Sequence, residues 1–187
     1  FIKRYGFTDL YTSSFYDFPT EEERWAYWAK HIDFARFAPP AMELYRELFR
    51  LVSDKDYFVI TTNVDGQFRK AGFASGRLFE VQGDYAYLQC AHGCHSERYD
   101  DKELVKQMLG SIHDGRIPSS LVPHCPVCGG AMDVNLRKDN YFVEDAAWHL
   151  QAERYTQFLK KAYCGRCVLL ELGVGYNTPG IIRFPFE

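Results

Sequence analysis

Four of the six cysteines in this 187-residue chain fall in two close pairs, Cys90-x3-Cys94 and Cys125-x2-Cys128, with 30 residues between the pairs. Each short interval lets two thiolates converge on one ion, and zinc takes four such sulfurs tetrahedrally. In "CPVCGG" the glycines let backbone N–H groups turn toward the sulfurs. Four thiolates leave no open position for a catalytic water, so the expected ion is a structural Zn2+ held by Cys90, Cys94, Cys125 and Cys128. Two disulfides, or two reduced surface pairs, would make poor use of so much loop. His92, His95 and His124 are near enough in sequence to substitute as ligands, although surface histidines are the simpler reading.

The remaining pair, Cys164-x2-Cys167, has no second pair to complete a metal site. A redox pair should open a helix, whose N-terminus lowers a thiol pKa. Here a helix is ending, so the expectation is reduced thiols, one of them buried under the next strand.

On either side of the cysteine segment the pattern is α/β. "FPTEEERWAYWAKHIDFARFAPP" reads as a helix between prolines, with Thr20 and Glu23 as a capping box and three glutamates at the positive end of the helix dipole. Trp25, Trp28, Ala29, Ile32 and Ala35 or Arg36 recur at helical spacing as one apolar face. "AMELYRELFRLVSD" predicts a second amphipathic helix with Leu44, Leu48, Leu51 and Val52 inward. "DYFVITTN" predicts a buried parallel strand, "VEDAAWHLQAERYTQFLKKAY" a long late helix, and "CVLLELGVG" a further buried strand.

Ligands of open α/β sheets sit at the carboxyl ends of strands. After the first strand stand Asn63, Asp65 and Arg69, which are equally well explained as turn chemistry, with Asx side chains satisfying local N–H groups. After the last stands "GVGYNTPG", in which Gly173 and Gly175 fit a dinucleotide fingerprint but Thr178 takes the third glycine's place. A tight packing turn explains it as readily.

A net charge of −3 argues against nucleic acid as a partner, since phosphate contacts need clustered lysine and arginine. No apolar run approaches the ~20 residues of a membrane span, and no leader-like segment opens the chain. With paired cysteines, this makes the cytoplasm the expected compartment.

Taken in order, "TTNVDGQFRKAG", "LFEVQGDYAYLQC", the two cysteine pairs and "LELGVGYNTP" resemble the sirtuins, from roughly residue 57 onward. "YGFTDLYTSSFY" and "NLRKDNYFVED" resemble the class M, macrodomain-linked branch, which is associated with protein ADP-ribosylation rather than deacylation. The resemblance implies an α/β fold: a Rossmann-like parallel-sheet domain for NAD, residues 1–82 and 141–187, with an inserted zinc-binding module, residues 83–140. It implies that a glycine-rich phosphate-binding segment precedes Phe1 and an adenosine-contacting strand follows Glu187, without which NAD would bind poorly.

The resemblance also gives Gln82 a meaning. It occupies the place where typical sirtuins carry a catalytic histidine in a His-Gly motif. Imidazole titrates near neutral pH and serves there as a general base, whereas a glutamine only donates and accepts hydrogen bonds. Loss of a positioned base costs about 10²–10⁴-fold, so deacylation is expected to be impaired. Transfer of ADP-ribose with release of nicotinamide asks the site chiefly to orient the ribose, which Gln82 can do. The resemblance further implies Asn63 and Arg137 as catalytic with Gln82, and Thr62, Asn63, Asp65, Gln82, Gly173, Val174, Gly175 and Asn177 as NAD contacts. Thr62, Val174 and Gly175 depart from the family's usual residues. An arginine at 137 could steady a carboxylate or a phosphate, or could simply be a surface arginine at the edge of the zinc module. The implied partners are a protein acceptor, such as a lipoylated carrier resembling the glycine-cleavage H protein, and a macrodomain protein. A lysine deacylase and a non-catalytic NAD- or ADP-ribose-binding module are the rival readings.

Overall fold

The structure, a computed structural model, describes residues 5–176 and 179–187, with backbone alone at positions 10 and 11. Its main elements are α1 (Glu21–Ile32), α2 (Glu43–Val52), β1 (Val59–Thr61), β2 (Leu78–Glu80), β3 (Gly83–Cys90), β4 (Tyr99–Asp100), α3 (Lys102–Ser111), β5 (Met132–Leu136) and α4 (Ala146–Ala162). The fold is mixed α/β, with one parallel strand pair among the described residues. Two compact units result, Phe1–Pro40 with Tyr85–Asn135, and Ala41–Asp84 with Leu136–Glu187. No described helix is long and apolar enough to cross a membrane.

In the first unit, α1 starts as expected: Thr20 Oγ1 accepts from the Glu23 N–H at 3.3 Å, and Glu21, Glu22 and Glu23 fill the first turn. Trp25, Trp28, Ala29 and Ile32 are buried, on the face that packs against α3. The helix then loosens into a π-helical turn, Asp33–Phe37, closed by the Ala38 N–H on the Asp33 carbonyl at 2.8 Å, just ahead of the proline pair. Strands β4, β3 and β5 form a sheet in that order, β3 and β4 antiparallel with Leu88 opposite Tyr99.

One face of α1 buries a titratable group. His31 Nδ1 lies 2.6 Å from the Tyr27 hydroxyl, and its ring packs on Trp28 and Tyr85. Burial lowers the His31 pKa to about 4, against ~6.5 in an unfolded chain. Between those values the unfolded chain takes up a proton that the folded chain refuses. Stability is therefore lost as pH falls from about 6.5 to about 4, by on the order of 3 kcal/mol in all. Urea unfolding at several pH values should show this slope in the wild type and a flatter one in His31→Gln; equal slopes would refute the assignment.

In the second unit, β1 and β2 are parallel, with Val59, Ile60 and Thr61 opposite Leu78, Phe79 and Glu80. Helix α4 covers β2: Phe79 meets Trp148 with ring centres 5.1 Å apart, and Gln151 Oε1 accepts the Glu80 N–H at 2.9 Å. Phe58 packs against Tyr155 and Phe158.

Three expectations are corrected here. Helix α2 turns Tyr45 and Phe49 inward, onto Phe68 and Phe73, and leaves Leu44 and Leu51 61% and 57% exposed. Two large rings packed on other rings, Tyr45 edge-to-face and Phe49 tilted, bury more apolar area than two leucines, and this sets the helix's rotation. The predicted strand over "CVLLELGVG" does not form; Val168 is 89% exposed, and Leu169, Leu170 and Leu172 are more than half exposed. A parallel strand exists only where a neighbour supplies its ladder, and among the described residues none does. Consequently Cys164 and Cys167 are both exposed, and neither is covered by a strand.

Candidate functional site

The described residues expected to handle a nucleotide all belong to the second unit and fall in three groups. The first is the loop after β1. Thr61 Oγ1 accepts from the Asn63 N–H at 3.1 Å, and Asp65 Oδ1 accepts from the Gln67 N–H at 3.0 Å. Between them Gly66 adopts φ +64°, a left-handed conformation that opens the short helix Gln67–Lys70. This is the Asx-turn chemistry legible in the sequence. Gln67, fully buried, anchors the loop from below by accepting the Met42 N–H at 2.9 Å. Thr62 is half-buried, while Asn63 is exposed and its Nδ2 donates to the Tyr45 hydroxyl at 3.0 Å. Burial, and then the charge of Asp65, push the Tyr45 pKa up, so that hydroxyl stays protonated and neutral.

The second group joins Gln82 to Arg137. The Arg137 N–H donates to the Gln82 carbonyl at 2.9 Å, so the two residues stand side by side across the chain. Gln82 is only 8% exposed, and its Oε1 is buried with no protein partner. The Arg137 guanidinium lies 4.3 Å from the Phe142 ring centre and 5.4 Å from that of Trp148. Its Nη2 donates to Glu144 Oε1 at 2.5 Å, yet its Nε is buried and unpartnered. Trp148 is tied down by its indole N–H on the Val81 carbonyl, at 3.2 Å. A buried donor and a buried acceptor left unmade each cost about 1–3 kcal/mol unless a ligand completes them. Polar groups of this kind suit a ligand carrying both hydroxyl donors and anionic acceptors, as NAD does.

The third group, Gly173, Val174 and Gly175, is a largely exposed turn with Gly173 at φ +64°. No described hydrogen bond links it to the other two groups. Asn177 lies outside the described residues. Sequence reasoning missed Glu144, Trp148, Gln67 and Tyr45. Glu144 was readable only as a helix-start acid, and the others as core or turn residues.

The cysteine cluster belongs to the first unit. Cys90 ends β3, and the Gly93 N–H on the Cys90 carbonyl makes the turn that returns Cys94. The second knuckle is closed by the Gly129 N–H on the Cys125 carbonyl, with Gly129 at φ +70°. All four Sγ atoms lie within 4.8 Å of one another, with Cys90–Cys128 at 3.7 Å and Cys94–Cys125 at 3.6 Å, and none forms a disulfide. A tetrahedron of sulfurs ~2.3 Å from zinc has edges of about 3.8 Å, so the cluster is already of the right size. Burial opposes ionisation of Cys90, but N–H groups of Cys94 and His92 outweigh it and bring the thiol to about 6. Cys94 is pushed up by burial and by its three sulfur neighbours, a repulsion that a divalent cation would relieve. His95 Nδ1 is 3.0 Å from Cys94 Sγ and its Nε2 is 2.8 Å from the Tyr99 hydroxyl, which suits a hydrogen-bonding support rather than a fifth ligand. A Cβ at Gly130 would come within 3.3 Å of Cys128 Sγ. Packing alone therefore favours glycine there.

No protein-family model matches the chain. Among curated proteins it is 35% identical over 188 residues to a "Protein ADP-ribosyltransferase" of Staphylococcus aureus, a match covering all of this chain and 60% of that protein. It is 32% identical over 197 residues to a "Probable bifunctional ADP-ribose hydrolase/ADP-ribosyltransferase" of Fusarium oxysporum f. sp. cubense, covering 98% of this chain and 32% of that protein. The chain thus spans about three fifths of the length of the first relative and about a third of the second. Among solved structures, that of Sir2Tm bound to a propionylated peptide matches 74% of this chain and 56% of its own, at 22% identity and a TM-score of 0.49. A structure described under the mechanism and regulation of Sir2 enzymes matches 62% and 42%, at 29% identity and a TM-score of 0.39.

Proposed function

We propose that this chain belongs to a sirtuin of class M that transfers ADP-ribose from NAD to a protein, releasing nicotinamide. The observation that carries this reading is the buried, unpartnered Oε1 of Gln82, whose main-chain carbonyl accepts the Arg137 N–H, at the position where the resemblance expects a histidine. The names of the two relatives support it. NAD, when bound, supplies an activated ribose carbon and nicotinamide as leaving group. Gln82 holds a ribose hydroxyl by accepting its proton in a hydrogen bond at Oε1, without removing it. Asn63 and Asp65, braced by Tyr45 and Gln67, present amide and carboxylate to the nicotinamide end, and Thr62 lines the same loop. Arg137 steadies an anionic oxygen with its free Nε–H. Gly173, Val174 and Gly175 offer backbone to the cofactor in this reading, and Asn177 belongs to the contact set on the resemblance alone. Zn2+ on Cys90, Cys94, Cys125 and Cys128 is structural, in a reducing compartment such as the cytoplasm.

The acceptor in this reading is a lipoylated carrier protein resembling the H protein, with a macrodomain protein as functional partner. The test incubates the full-length protein with radiolabelled NAD and such a carrier. Label stably attached to the carrier is the expected result. Release of acyl groups from an acetyl-lysine peptide without transfer would overturn it in favour of deacylation, and NAD binding without turnover would reduce the chain to a binding module.

A further inference from the structure

Arginine is flexible, and Arg137 remains 35% exposed at its side chain, yet its guanidinium is held on three sides. Two are the faces of Phe142 and Trp148. The third is Glu144, whose Oε1 takes the Nη2 proton in a charge-assisted bond of 2.5 Å. Glu144 is itself placed by the start of α4. It directly precedes the N-cap Asp145, whose Oδ1 accepts the Trp148 N–H at 2.8 Å and fixes the first helical turn. The entry into α4 thus supplies both the carboxylate, just before the N-cap, and one aromatic wall of the same cage, from the first helical turn. With Nη2 engaged by Glu144, the buried Nε–H is a donor with no protein acceptor.

We infer that Glu144 is a positioning residue: it fixes the Arg137 guanidinium in the aromatic cage so that the Nε–H is presented to an acceptor oxygen of the bound ligand. This deepens the function proposed above, and it rests on that reading for what Arg137 does to the ligand, though not for the geometry itself. Glu144 also offsets the arginine's charge. The ligand oxygen therefore meets a directed donor rather than a loose cation that would bind any anion equally. Because the carboxylate acts through Arg137, its removal should disturb the chemical step more than the affinity for NAD.

The test follows the side chain of Arg137 directly in the full-length protein. Its Nε–Hε resonance in a ¹H–¹⁵N spectrum, assigned by its disappearance in Arg137→Lys, should be shifted by the two rings and protected from water. In Glu144→Ala it should move into the envelope of solvent-exposed arginines, while Glu144→Asp should restore part of the shift. Adding NAD should displace the resonance in the wild type. In transfer assays Glu144→Ala should lower kcat about ten- to hundredfold, with KM for NAD within about twofold of the wild type. An unmoved Arg137 resonance in Glu144→Ala would overturn the inference. So would tighter NAD binding by Glu144→Gln, which would make Glu144 a competitor of the ligand. If the wild type transfers no ADP-ribose, the functional reading falls, while the spectra still decide the role of Glu144.

Discussion

Gln82→Ala and Arg137→Ala should each lower ADP-ribosyl transfer by about 10²–10³-fold, the loss typical of removing one preorganised polar contact to a developing charge. The two substitutions differ in what they leave behind. Gln82→Ala removes a buried, unpartnered acceptor, so the empty protein should be no less stable than the wild type. Arg137→Ala strips a cation from Phe142 and Trp148 and leaves Glu144 without its partner, so it should cost stability as well as rate. Arg137→Lys should recover little, because an ammonium has no planar fork to lie between two rings. Gln82→Asn keeps the amide but draws it back by one methylene, and should fall between wild type and alanine. The measurement is the rate of label transfer to the carrier, with urea midpoints taken alongside. Transfer that survives Gln82→Ala at the wild-type rate would remove Gln82 from the site.

The second large effect concerns the metal. Purified protein should contain one zinc per chain by elemental analysis. A strong chelator should unfold the cysteine unit, since structural zinc contributes on the order of 10 kcal/mol in small zinc domains. Cys90→Ser should behave like the chelated protein, because Cys90 is a wholly buried sulfur of the four. Thiol titration gives an independent reading. Cys164 and Cys167, both exposed, should react at once with a thiol reagent, and the other four thiols only after chelation. Six fast thiols in the untreated protein, or zinc content near zero with an unchanged melting temperature, would refute a structural metal.

What could be read from the chain alone was what neighbouring residues determine. The start of α1 is a local matter of Thr20 and three glutamates, and the cysteine knuckles are local turns, so both were legible. The face of α2 was not, because it depends on Phe68 and Phe73, about 20 residues further on, and on rings outcompeting leucines. The run "CVLLEL" has the composition of a strand, but composition cannot supply a ladder partner. Within the site, Gln82 and Arg137 could be singled out one at a time. That their main chains pair, and that Glu144 and Trp148 complete the cage around Arg137, depends on contacts such as the one across 55 positions of chain (137 minus 82), which no periodicity encodes.

The bond between these two residues runs from main chain to main chain, the Arg137 N–H on the Gln82 carbonyl. Neither side chain takes part in it. Identity and position are therefore separable at this point of the molecule: either residue can be exchanged while the other stays in place. On the proposed function, a lineage could swap a proton-accepting ring for a neutral amide at 82 without renegotiating the architecture that brings 137 alongside. Chemistry here is an interchangeable part mounted on a fixed bracket.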